Sequence, residues 1–306
     1  MKRKLIKQQT ACTVTLPIEW LRLQRLKARD EVDVSSEGDA LIVRAAKKSV
    51  LLEKTLHLDS GTADYYRIMV ENHYLKAFDR LHLTLSDRKA ITSLKKIVSN
   101  LIGYEIISET RNGCVIASTA EASSEQFSTL LRRCLHIISH SIALIKEDVS
   151  AKKSTHSAEI EELSDDARRF LLYCTRTLHK ISVVSRDDES FMHLLLERLI
   201  LIEHNLWYLS IKLPANRKLK FRSNVLALFD DSCEMFSLFE QMFLHKNLDG
   251  FSKVNKLWHD IYFERGQKLF VGCNLEESII LYHSMYFAKQ MFLISQPSLI
   301  MQKIEN

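Results

Sequence analysis

The stretch FSTLLRRCLHIISHSIALIKEDV, residues 127–149, decides the fold class. Phe127, Leu131, Cys134, Ile138, Ile142, Ile145 and Val149 recur at steps of three and four. One face of a 3.6-residue helix is therefore apolar along its whole length. The pattern repeats downstream: Ile160, Leu163, Ala167, Phe170, Cys174, Leu178 and Ile181 form a second stripe. Phe191, Leu195, Leu199, Ile202, Leu206 and Leu209 form a third. Three more helices are predicted near 222–246, 250–270 and 275–296. The polar stretch SAKKSTHSA (150–158) and the stretch KLPANRKLKFR (212–222) interrupt the series, and Pro214 divides six helices into three plus three. The simplest arrangement is two tandem three-helix bundles, over 121–213 and 214–300.

Composition agrees with a mainly helical chain. Only 7 Gly and 3 Pro occur in 306 residues, about a quarter of the usual share. Such scarcity opposes a β-sandwich or a loop-rich disulfide scaffold and suits long helix interiors. The glycines form neither G-x-G-x-x-G nor G-x-x-x-x-G-K-[ST], so a Gly-rich phosphate cradle is not expected. Nor is there a nucleophile elbow or an H-E-x-x-H pair; the expectation is a non-enzyme with no cofactor and no catalytic residues.

Upstream the periodicity changes. Residues 49–120 read as a small α/β segment, with strands VLLEKTLHL and FDRLHLTL, helices TADYYRIMVENHYL and RKAITSLKKIVSNLI, and a hairpin turning at Asn112–Gly113. Residues 1–48 form a small β domain with one short helix. Cys12, Val14 and Leu16 alternate with Thr13 and Thr15 as a half-buried strand would. Pro17 opens the helix IEWLRLQRL, EVDV is a second strand, Ser36–Asp39 a turn, and ALIVR the returning strand. So short a domain cannot supply its own core. Pairing with a second copy, as an intertwined dimer, is expected.

Charge singles out the same segment. Residues 1–48 hold 11 of the 43 Lys and Arg against 6 of the 38 Asp and Glu, so the other 258 residues balance at 32 of each. The whole net charge of +5 belongs to the first sixth of the chain, which suggests a polyanion-binding head on a neutral scaffold. No apolar run is long enough for a membrane span, and the start lacks a signal-peptide core. The six cysteines are scattered without a C-x-x-C pair, as expected of reduced thiols in a cytoplasmic protein.

The string KLIKQQTACTVTLPIEWLRLQRLKARDEVDVSSEGDALIVR resembles the AbrB/SpoVT/MazE swapped-hairpin DNA-binding domain. The match comprises a basic first strand, V-T-L-P, a helix with Trp20, the loop Leu26–Val32, and Gly38-Asp39-Ala40-Leu41 before the last strand. The segments LIGYEIISET (101–110) and LLRRCLHIISHSI (130–142) extend the likeness to a composite family. There such a domain precedes a PhoU-like helical body and acts as a phosphate-uptake regulator, chiefly in archaea. The resemblance implies a homodimer binding double-stranded DNA, with Lys2, Arg3, Lys4, Lys7, Gln8, Gln9 and Thr10 facing it. A Gly-rich turn is usual in that family where this chain has Gln9-Thr10-Ala11.

The PhoU-like family also binds metal through E-x-x-x-D pairs. Here the expected motif becomes Leu199-Ile200-Leu201-Ile202-Glu203-His204, and other acidic positions fall on Arg168 and near Lys289. A cation at a ligand position opposes a divalent metal, so no metal site is expected. His136 and His140, four apart, read as surface, and Trp207, Tyr208 and Trp258 as core. KLPANRKLKFR is either a solvated linker or a second polyanion or docking patch. Two function classes stay open. One is a DNA-binding transcriptional regulator linked to phosphate uptake, its body sensing or docking an effector. The other is an interaction protein whose body binds a transporter ATPase or sensor kinase, the head serving only to dimerise. An architectural DNA-binding protein without an effector is a third possibility.

Overall fold

In the computed structural model, residues 3–37, 40–45, 51–59, 61–215, 219–245, 247 and 249–303 are described, without the side chains of 35, 37, 40, 44, 45, 186 and 300–303. The chain forms two compact units, Met1–Lys54 and Thr55–Asn306. It is mainly helical, with a small N-terminal strand region.

The first unit holds two separate antiparallel hairpins around one short helix. Strands β1 (Ile6–Gln8) and β2 (Ala11–Thr13) make the first, α1 (Ile18–Leu23) follows, and β3 (Val32–Glu37) with β4 (Ala40–Ala45) makes the second. Pro17 precedes α1 in extended conformation, where a missing N–H is harmless. The helix stops three residues short of the expected span, because Arg25 turns left-handed at φ 54°. Ser36 and Glu37 belong to β3 rather than to the turn, and Gly38 and Asp39 lie outside the described residues.

In the second unit a four-stranded sheet has the order β5 (Glu53–Leu58), β6 (Arg80–Leu85), β8 (Gly113–Ser118), β7 (Tyr104–Thr110). Helices α2 (Ala63–Leu75) and α3 (Ala90–Ser99) complete the module. The β7–β8 loop is Arg111–Asn112, with Gly113 already paired to Thr110. Gly113 is required by packing rather than by the turn: a Cβ there would lie 2.0 Å from the Leu83 carbonyl oxygen of β6. Arg176 clamps this module to the helices. Its guanidinium donates to the Tyr74 and Phe78 carbonyls at 2.8 and 2.9 Å and lies 4.8 Å from the Tyr74 and Tyr104 ring centres, a buried cation satisfied by backbone and ring faces.

The helical body comprises α4 (Ser124–Ala151), α5 (Ser157–Lys180), α6 (Arg186–Lys212), α7 (Ser223–His245), α8 (Gly250–His259), a π-helical turn (Asp260–Arg265), α9 (Gly266–Leu269) and α10 (Leu275–Lys303). The first stripe is buried from Phe127 to Val149. The break after α4 is fixed by Asp148, 2% exposed, whose carboxylate accepts the Thr155 N–H and hydroxyl and the His156 N–H. The two trios do not keep separate cores. One cluster runs from Phe127 to Ile294, and α10 packs on α6 as well as on α7 and α8. Contact on several sides explains why α10 lacks a single apolar stripe. It also continues through Pro297 instead of stopping at 296; the Ser298 hydroxyl donates to the Ile294 carbonyl at 3.0 Å beside the missing proline donor.

Candidate nucleic-acid interface

The positions that the family resemblance marks for DNA contact fall on and before the first hairpin. Ile6 pairs with Thr13, Lys7 with Cys12 and Gln8 with Ala11, and the Thr13 hydroxyl donates to the Ile6 carbonyl. That leaves Gln9–Thr10 as a two-residue turn. Gln9 takes φ 48°, the positive φ such a tight hairpin requires at its first central position. The chain thus achieves with glutamine what a glycine would do with less strain. Lys7 and Cys12 share one face of the ribbon, while Ile6, Gln8, Ala11 and Thr13 share the other. Arg3 and Lys4 lead into β1, and Arg3, Lys4, Lys7, Gln8, Gln9 and Thr10 are all exposed. Lys2 lies outside the described residues. The cluster therefore stays together along one ribbon and its leading segment, although its members divide between two faces.

Arg22, Arg25, Lys27 and Arg29, around and after α1, are exposed as well. The Lys27 N–H donates to the Asp30 carboxylate at 2.8 Å, which orders the loop carrying Lys27 and Arg29. Flexible cations and amide side chains on an ordered ribbon suit phosphate oxygens and base edges.

The apolar residues of this unit are uncovered in the single chain. Leu26, at 8%, is its one buried residue among those described. Leu5 is 72% exposed, Leu23 69% and Leu41 62%. In the second hairpin Val32, Val34, Leu41 and Val43 occupy one face, giving an apolar sheet surface on which Val34 and Leu41 stand exposed. Cys12 and Val14 are exposed too, so the half-buried strand expected there has nothing covering it within one chain.

The helical body places its own marked residues differently. Leu199 is fully buried in the core. Arg168 donates to both oxygens of Glu71 on α2 at 2.8 and 2.7 Å, and Glu71 also meets Arg67. Lys289 lies over the Tyr262 ring at 6.0 Å. Glu203 is 1% exposed; the Ser164 hydroxyl donates to its Oε2 at 2.6 Å, while Oε1 has no partner. Burial pushes this carboxyl up to about 7 against the pull of the Ser164 hydrogen bond. Among the described residues no group of three or more His, Cys, Asp or Glu is placed to hold a metal ion. His136 is exposed, and His140 meets Glu159 at 3.4 Å. Trp207 and Trp258 pack against the core, but Tyr208 is on the surface, because it falls on the face of α6 turned away from the stripe.

Sequence reasoning missed the buried pair Asn205–His283. Asn205 Nδ2 donates to the His283 carbonyl at 3.1 Å, and His283 Nδ1 lies 2.8 Å from Asn205 Oδ1. Burial and the Lys212 charge lower the His283 imidazole to about 4. A polar pair so far apart in sequence carries no local signal. Among the described residues no helix is long and apolar enough to cross a membrane. Set against family models, curated proteins and solved structures, the chain matches none.

Proposed function

We propose that the chain is a homodimeric, non-enzymatic DNA-binding transcriptional regulator. Two N-terminal units intertwine to form one DNA-gripping head, and the helical body senses or docks an effector. The observation that carries this reading is the pairing of opposite demands in one unit. Its exposed cations call for a polyanion, while its uncovered apolar face calls for a second copy of itself. Hairpin, short helix, hairpin is also the element order that the AbrB-like resemblance implies. The link to phosphate uptake rests on that resemblance and on the PhoU-like character of the six-helix body.

The test uses the full chain. Replacing Arg3, Lys4 and Lys7 together by Ala leaves a species of twice the 35.5 kDa chain mass and lowers affinity for duplex DNA at least tenfold, the scale of losing a few phosphate contacts per chain. Leu41→Asp instead shifts the protein towards monomer. Unchanged DNA affinity in the triple variant would favour the interaction-protein reading, in which the head only dimerises.

A further inference from the structure

The stretch KLPANRKLKFR plays no part in the head, yet the fold gives it neighbours. Residues 216–218 lie outside the described part, but the chain is pinned beyond them. The Leu219 N–H donates to the Lys152 carbonyl at 2.9 Å, and Asn274 Nδ2 donates to the Lys220 carbonyl at 2.9 Å. The Arg222 guanidinium donates to the Leu269 and Val271 carbonyls at 2.6 and 3.3 Å. Three loops, 152–156, 213–222 and 270–274, therefore meet at one end of the helical body.

They gather Lys152, Lys153, Lys220 and Lys268, all exposed and none in an ion pair among the described residues. Two carboxylates bonded into these loops, Asp148 and Glu277, are buried and engaged: Asp148 by Thr155 and His156, Glu277 by Arg222 and Asn274. The same end pushes apolar groups into water. Val271 is 78% exposed, and Phe270 and Leu275 are exposed beside it. Gly272, at φ +71°, has no atom within 4 Å of where its Cβ would stand, so the 270–274 turn projects clear of its surroundings.

DNA phosphates would engage the lysines but leave Val271 and Leu275 in water. An anionic bilayer accepts both, since apolar side chains enter the headgroup boundary while lysines face lipid phosphates. We propose that this end of the body is a peripheral docking surface for an anionic membrane, with the Phe270–Leu275 turn inserted and the lysines arrayed around it. Neither signal alone anchors a protein firmly; the two together do. Each lysine strengthens binding about fivefold.

Flotation of the full chain with phosphatidylcholine vesicles, with and without about one third phosphatidylglycerol, tests it. The protein floats with the acidic vesicles and not with the neutral ones. Val271→Asp weakens this at least tenfold, and Lys152→Glu with Lys153→Glu does the same; circular dichroism confirms that each variant keeps its helices. The head variant with Arg3, Lys4 and Lys7 replaced by Ala floats like the parent, which separates this surface from the DNA-binding head. Equal flotation with both vesicle types, retained binding by Val271→Asp, or loss confined to the head variant overturns the proposal. So does a fall in duplex-DNA affinity in the Lys152/Lys153 variant as large as in the head variant, which would make this end a DNA contact.

Discussion

Glu203 and His283 pull the pH profile of stability in opposite directions. The Glu203 carboxyl rises from 4.5 to about 7 on folding, so the folded state holds a proton that the unfolded chain releases. Its contribution is most favourable at low pH and is lost as pH rises through about 7. The His283 imidazole falls from 6.5 to about 4; its contribution is present above 6.5 and lost as pH falls through about 4. The two oppose each other across the mildly acidic range, and near neutrality Glu203 alone remains. Glu203→Gln keeps an acceptor for Ser164 without the buried charge. Urea unfolding at pH 8 should show it more stable than the parent by up to about 3 kcal/mol, with little gain at pH 5. A gain of equal size at both pH values would mean that ionisation is not the cause. Glu203 and Arg168 could be marked from their spacing along the helices. Ser164 and Glu71, their partners across the fold, could not, because those contacts depend on how helices α5, α6 and α2 pack.

At the scale of elements, apolar periodicity located the long helices well, since a stripe of seven residues has few other ways to be buried. It said less about interruptions. The helix from Gly250 continues through a π turn whose last N–H, from Gly266, returns to the Ile261 carbonyl. A Cβ on Gly266 would lie 2.2 Å from that oxygen and 2.8 Å from Met285 Sδ on α10. Gly266→Ala should therefore cost about 1–3 kcal/mol through overpacking, read as a lowered denaturation midpoint. An unchanged midpoint would show that the π turn can relax to an α turn without penalty. The first hairpin was harder to read. Three-residue strands give almost no period, and its turn carries glutamine at a position where glycine would have been a signal. Cys12, opposite Lys7 on that hairpin and exposed, supplies a probe. It should alkylate rapidly in the native protein and be protected by duplex DNA, whereas the buried thiols of Cys174 and Cys233, pushed up to about 12, react only on unfolding. Unprotected Cys12 at saturating DNA would remove Lys7's face of the ribbon from the interface.

For the molecule as a whole, the location of charge was the most informative feature of the sequence. A balanced body and a basic head separate cleanly in a charge count, and the contrast needs no tertiary knowledge. The fused core of the six helices was not legible, because Pro214 marks a loop without saying whether the helices on either side share a core. The head's incomplete core follows from its size, and the exposure of Leu5, Leu23 and Leu41 gives that argument particular residues. The central claim is that this head binds DNA electrostatically as a dimer. Its most direct test is the salt dependence of duplex binding by the full chain. With about 4–8 phosphates neutralised per dimer, log K against log salt should fall with a slope near −4 to −7. The slope should become shallower by about 5 when Arg3, Lys4 and Lys7 are all replaced by Ala. A flat response in the parent, or an identical slope in the variant, would contradict the account.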